Sequence, residues 1–379
     1  MPFFGSDQGV FITQSLMWML WALVPVVGIM MALTPYLMPK RECFAVTVPD
    51  AAQQDPCLKG LKKRFLVWVL AVTALLSVAM AAVLACGAVS VFIVLLTVGL
   101  LAISLGGYLL MLHFRRQVQV YKKAQGWQAE GVRRVGFAGP EDFPRPLSLK
   151  WALAYIPLIL FVLALGIVGY PTMPEQVPLQ FGFDGQVSNY AEKSFVLVLF
   201  PVLFCLFMAV IFTFNQWMIL RSKKATDPSM PAASAWAYGM FARAQSILLV
   251  AMGLVLVGVL GTLLQLAMVG VLSIFDAALA VLPIVFVIIV ASTAVNLVYG
   301  QNGARLLTRV EGGDGLLRDD DSHWKLGIFY FNRDDASLFL PERFGIGWTV
   351  NFARPAVWAL LTALVLLIVA FVVFCLVAT

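Results

Sequence analysis

The sequence predicts an all-α polytopic membrane protein of eight transmembrane helices. Both termini are expected outside the cytosol, with a small cytosolic β-hairpin between helices 7 and 8. Three observations carry that prediction. Of 379 residues, 61% are hydrophobic and only 12% charged, against about 45–50% and about 25% in a soluble domain. Eight separate apolar stretches are long enough to cross about 30 Å of hydrocarbon. Finally, 25 of the 26 Lys and Arg residues fall in four of the connections between those stretches.

In chain order the stretches lie near residues 10–37, 65–87, 89–114, 151–169, 195–220, 246–269, 274–298 and 356–377. None shows the period-2 alternation of a barrel, so strands are a poor alternative. The opening MPFFGSDQG carries no Lys or Arg, and the first span is expected to be retained. Cys86-Gly87-Ala88 offers a tight turn between the second and third spans, and a link around Gly270 joins the sixth and seventh. The chain then divides into residues 1–169 (helices 1–4 with two basic loops), 170–194 (an extracytosolic proline-rich loop), 195–299 (helices 5–7), 300–353 (a cytosolic aromatic segment) and 354–379 (helix 8).

Charge sets the orientation. The four basic connections hold six, eight, four and seven Lys or Arg residues. With eight spans they all share one face, which the positive-inside rule makes cytosolic. The other face carries Asp7, Glu175, Asp184, Glu192 and Asp276 against Lys193 alone. The pI near 9.1 is therefore a topology signal. The cations are spread over juxtamembrane loops, which argues for attraction to anionic lipid and against nucleic-acid binding.

Ionisable groups inside a membrane are costly and mark transport or proton relay. Here Asp276 and His113 sit near span ends, and the polar residues within spans are neutral: Gln14, Asn215, Gln216, Gln265 and Asn296. These are expected to hydrogen-bond between helices. Pro25, Pro35, Pro157, Pro201 and Pro283 interrupt spans, and broken helices around Pro201 and Pro283 are the basis of an alternative reading as a small-molecule or lipid transporter. GxxxxGK[ST], HExxH, GxSxG and CxxC are absent. No enzymatic activity, cofactor or metal is expected.

Two connections carry information. In the outer one, Pro171, Pro174 and Pro178 forbid regular helix and favour extended backbone. Asp184-Gly185 is a turn pair. Val177, Phe181, Phe183 and Val187 are placed to pack the loop on the bundle as a rigid lid. Pro171, Pro174, Pro178, Gln180, Phe181, Asp184, Gly185, Tyr190 and Lys193 make a candidate outer recognition surface. The cytosolic segment is richly aromatic: eight of the 29 residues from 324 to 352, against 12% in the chain. Residues 324–331 read as a strand, Asn332 to Asp335 as a turn, and residues 338–340 as the returning strand. This hairpin is expected on the inner membrane surface with Trp324 and Trp348 at headgroup level. Trp324, Tyr330, Asn332, Asp334, Asp335, Arg343, Gly345, Trp348 and Asn351 form a candidate docking segment for a cytosolic partner.

The pattern PxxVPxxFxxxGxVxxYxxK, from Pro174 to Lys193, resembles the family of unknown function that includes the SdpI-type bacterial toxin-immunity membrane proteins. Gln180 stands where that family usually has His, and Ser188 where it usually has Asp. WKLGIFYFNRDD, LPERFGIGWTVNFARP and RECFAVTVPD (Arg41 to Asp50) are similar to a second domain of unknown function that accompanies the first. The pairing implies a multi-pass protein of the bacterial cytoplasmic membrane. It further implies immunity against, or sensing of, a membrane-active peptide, with a secreted peptide outside, a cytosolic regulator inside and no catalysis. A structural subunit of a membrane complex is the third reading.

Overall fold

A computed structural model describes residues 6–39, 41–49, 51–128, 143–181, 187–224, 230–307, 319–345 and 347–378. Among these residues the chain forms nine α-helices: α1 (Ser6–Leu37), α2 (Pro56–Ala85), α3 (Val89–Ala124), α4 (Tyr155–Gly169), α5 (Phe195–Arg221), α6 (Pro231–Leu254), α7 (Gly261–Met268), α8 (Ile274–Tyr299) and α9 (Pro355–Ala378). A π-helical turn, Val255–Leu260, fuses α6 and α7 into one rod. Eight helices are then long and apolar enough to cross a membrane.

Local chemistry sets the helix ends. Asp55 caps α2 by accepting the Cys57 amide at 2.7 Å, and Pro56 fills the first turn where no donor is needed. Gly87 (φ +72°) reverses the chain between α2 and α3, and Gly270 (φ +78°) does so between α7 and α8. Both short links fall where the sequence placed them. Large apolar side chains face outward, with Val168 78% and Leu75 72% exposed. That pattern is tolerable only in a hydrocarbon solvent.

The helices form two groups. α1, α2 and α3 pack around Met17, Val24, Met80, Phe92 and Ile103. α4, α5 and the α6–α7 rod pack around Tyr155, Val162, Cys205 and Val257. α8 touches α1, α6 and α7 and so joins the groups, while α9 lies on α5 through stacked Phe207 and Phe371, 4.5 Å apart.

Among the described residues, four small antiparallel hairpins decorate the ends: β1 (Glu42–Cys43) with β2 (Val46–Thr47), β3 (Gln176–Phe181) with β4 (Val187–Glu192), β5 (Trp324–Lys325) with β6 (Phe329–Tyr330), and β7 (Phe339–Pro341) with β8 (Trp348–Val350). The single hairpin expected between α8 and α9 is therefore replaced by two. Leu326 (φ +51°) and Gly327 (φ +77°) turn the chain early, so Trp324 pairs with Tyr330 and not with residues 338–340. Residues 338–340 pair forward instead, Leu340 opposite Thr349. Trp324, expected at headgroup level, is 5% exposed and lies inside this unit. The proline-rich loop is also more regular than expected. It is a hairpin with a register shift just after Pro178, a place where a strand tolerates a residue without an N–H.

All four basic connections meet at one end of the bundle. Lys122 and Arg343 share the Asp321 carboxylate, and Lys223 pairs with Asp335 at 2.5 Å. Among the described residues, the four basic connections thus contribute to one end of the helix bundle, in keeping with the charge pattern.

Candidate functional site: a buried charge cluster and a docked hairpin

The basic end is built from the first connection inward. Residues 43–46 are fully buried. Phe44 and Ala45 both have positive φ, +48° and +59°, the signature of a two-residue turn normally made by Asn-Gly. The strain is held by packing and by hydrogen bonds. Phe44 stacks on Phe114 at 5.3 Å and meets Phe65 edge-on at 5.5 Å. The Arg115 guanidinium donates to the Ala45 carbonyl and, at 3.2 Å, to that of Trp324.

Charges then lock three segments together. Asp321 accepts from the Thr47 amide (3.0 Å), the Thr47 hydroxyl (2.8 Å), Lys122 (2.7 Å) and Arg343 (2.5 Å). Lys122 also reaches Asp319 at 2.7 Å. Arg343 bonds Asp320, approaches Glu42 at 3.5 Å and lies over the Trp324 ring at 5.0 Å. Burial pushes Asp321 up, but Arg343 and Lys122 outweigh it and hold the carboxyl down to about 2. Burial pushes Glu42 up to about 8 against the pull of Arg343. Arg343 itself is raised, because Asp320, Glu42 and Asp321 overcome its desolvation.

Around this cluster the remaining candidate docking residues act as internal fasteners. Asn351 is fully buried and donates to the carbonyls of Asn332 (2.8 Å) and Asp335 (3.0 Å). Asp335 accepts from Tyr330 at 3.1 Å; burial pushes its carboxyl up, yet Lys223 and Ser337 hold it down to about 2. Trp348 packs on Phe241 at 5.5 Å, and Gly345 (φ +112°) turns the strap between β7 and β8. Asp334 is the exposed member of the set. Glu42, Thr47, Arg115, Lys122 and Asp319 to Asp321 were not singled out by chemistry. The run of three aspartates and the RECFAVTVPD stretch were the signals available.

At the opposite end β3–β4 is docked by one core: Val177 with Met173, Leu197, Val198 and Met268. Pro174 rests against Gly270. Lys193 donates to the Pro171 carbonyl at 3.4 Å, sits 5.3 Å from the Tyr170 ring and lies 3.9 Å from Glu175. Tyr190, opposite Pro178, is 53% exposed. Gln180 pairs with Asn189 along the backbone, and Phe181 with Val187. Asp184 and Gly185 lie outside the described residues.

One helix spans the distance between the two ends. α5 begins in the hairpin core with Leu197 and Val198. It ends with Phe214 and Trp217 against Phe339, at 6.3 and 5.2 Å. The Lys223 amide just beyond donates to the Phe339 carbonyl at 2.9 Å. About 20 residues of helix separate these contacts, roughly 30 Å at 1.5 Å per residue.

The expectation for the neutral polar residues is met in part. Gln216 donates to Ser246 at 2.6 Å, and Gln245 to Asn296 at 2.6 Å, both between helices. Asn215 bonds its own helix, at Ile211. Gln14 has no described side chain. Gln265 is fully buried, and both ends of its amide lack a partner among the described residues. Such an orphan costs about 1–3 kcal/mol.

These features define a multi-pass membrane protein with a structured cap at each end. A family described as "Domain of unknown function (DUF1648)" matches residues 158–205, which run from α4 through the hairpin into α5. A second, "Family of unknown function (DUF5808)", matches residues 333–358, from the β7–β8 unit into α9. No curated protein and no solved structure matches the chain.

Proposed function

We propose that this chain is a non-catalytic protein of the bacterial cytoplasmic membrane, with both termini outside, that protects against or senses a membrane-active peptide. The observation that carries the reading is α5, which packs on the outer hairpin at one end and on the β7–β8 unit at the other. Its two ends fall next to the two family matches. A peptide that favours one placement of the hairpin over another thereby biases the charge-locked unit at the far end, the condition for any signal to pass.

The outer hairpin suits peptide recognition. A two-stranded sheet leaves open edges, and an extended peptide adds to such an edge through main-chain hydrogen bonds. β4 carries no proline, so its edge keeps every donor.

Cells lacking the protein should become more sensitive to a membrane-active peptide made by their own or a neighbouring strain. Restoring the wild-type chain should restore resistance, while Tyr190→Ala, an exposed change on β4, should reach the membrane at normal level without protecting. Unchanged survival of the deletion strain against every such peptide would contradict the reading.

A further inference from the structure

Gln265 sits on α7, one turn before the helix ends at Met268. It is fully buried. Its amide fits over Gly166 of α4: a Cβ on Gly166 would meet Gln265 Nε2 at 2.4 Å and Val198 Cγ1 at 2.5 Å. Val198 belongs to the core that docks the outer hairpin, together with Val177 and Met268. The amide therefore lies where α4, α5 and α7 meet, beside the core that docks the hairpin. Neither Nε2 nor Oε1 has a hydrogen-bond partner among the described residues.

The contrast with Gln301 is informative. That side chain is equally buried, yet Nε2 donates to the carbonyls of Glu342 and Gly347 at 2.9 Å, and Oε1 accepts the Gly347 amide at 3.0 Å. Gln301 is a satisfied structural amide that grips a peptide strap by both its donor and its acceptor. Gln265 presents the same two groups to no partner among the described residues. An unmet amide in apolar surroundings raises the energy of the arrangement that contains it. The deficit is removed when a group offering one donor and one acceptor, spaced as in an amide, enters.

From this juxtaposition we infer that Gln265, Gly166 and Val198 form the floor of a binding subsite that takes a main-chain amide of a peptide when the β3–β4 hairpin lifts. This deepens the peptide reading above and rests on it. The hairpin is the cover, Val177 is the residue that must leave the core, and Gly166, with no side chain, lets the Gln265 amide lie against the backbone of α4. A peptide N–H bonds to Oε1 and its carbonyl accepts from Nε2, as the 342–347 strap does at Gln301. Binding thereby favours the open placement of the hairpin, which α5 carries toward Phe339.

The test uses the full chain in phospholipid nanodiscs, with N-acetyl-leucyl-leucinamide as probe and its ester analogue, lacking the central N–H, as control. Thermal unfolding is read against probe concentration. Wild type should be stabilised by the amide probe, with the ester about tenfold weaker, the factor that one lost hydrogen bond corresponds to. Gln265→Leu should unfold no earlier than wild type without probe, and its affinity for the amide probe should drop at least tenfold. An earlier unfolding of Gln265→Leu would show that the amide is already satisfied and overturn the inference. So would equal binding of amide and ester, wild-type affinity in Gln265→Leu, or no response of the wild type. Amide binding that survives Gln265→Leu removes this subsite and leaves peptide sensing intact; unaltered peptide survival of a deletion strain removes the sensing reading whatever the nanodiscs show.

Discussion

Replacing Arg343 with alanine is expected to destabilise the basic end by about 3–5 kcal/mol, the range for removing one partner of a buried ion pair. Arg343 is 5% exposed and faces Asp320, Asp321 and Glu42 together. Its loss leaves the cluster with Lys122 as the remaining cation on Asp321 and removes the cation over the Trp324 ring. The first connection is then tied to residues 319–325 more weakly, through Lys122 on Asp321 and through Arg115 on the carbonyls of Ala45 and Trp324. The strained turn at Phe44 and Ala45 becomes the weak point. Limited proteolysis of the purified protein should cut near residues 41–48 at protease levels that leave wild type intact. Glu175→Gln is the contrast: its 3.9 Å pair with Lys193 has an 89% exposed carboxylate, and such a pair is worth at most about 1 kcal/mol. Equal resistance of Arg343→Ala and wild type would show that the cluster does not hold the end together.

The second large effect is on pH dependence, and its sign follows from two groups moved in opposite directions. Glu42 is raised from 4.5 to about 8, chiefly by burial. Between those values the folded chain holds a proton that the unfolded chain has released, so stability falls as pH rises from about 4.5 through 8 and is flat above. Glu342, raised by burial to about 7, acts in the same direction. Asp321 and Asp335, both held down to about 2, act the other way: their contribution is complete above 3.8 and is lost as pH falls toward 2. The melting temperature of the purified protein should therefore be highest between about pH 4 and 5 and decline toward pH 8. Glu42→Gln keeps the side-chain shape and removes the titration. It should flatten the upper limb, leaving the shallower part due to Glu342. A melting temperature that climbs from pH 5 to pH 8 would contradict this assignment.

The spans were legible because hydrocarbon imposes one rule on every residue of a segment, and twenty apolar positions in a row have no other explanation. The shared face of the basic loops was legible for the same reason: a single misplaced crossing scatters 25 cations over two faces. Both short links announced themselves through Gly87 and Gly270, which adopt the positive φ that glycine permits. The hairpins were harder. Phe44-Ala45 has none of the chemistry of a two-residue turn; the fold forces it there by inserting Phe44 between Phe65 and Phe114. Leu326-Gly327 hid inside an aromatic run that reads as one strand. Asp319 to Asp321 looked like solvated loop charge, since nothing local shows that Lys122, about 200 positions earlier, ends beside them. Gln265 was grouped with Gln216 and Asn296 because sequence reports an amide in a span but not whether a partner reaches it.

The account rests on the basic end being a single face, turned toward the cytosol. Native cysteines make the direct test, because Cys57 opens α2 at that end and Cys86 closes α2 at the other, both exposed. Chains retaining one cysteine each, and cysteine-free chains carrying Lys123→Cys or Arg333→Cys, are treated in intact cells with a membrane-impermeant maleimide. Cys86 should label from outside, while positions 57, 123 and 333 should label only after the membrane is opened. Labelling of 123 and 333 from opposite sides, or of Cys57 together with Cys86, would contradict the fold and the path from hairpin to charge cluster.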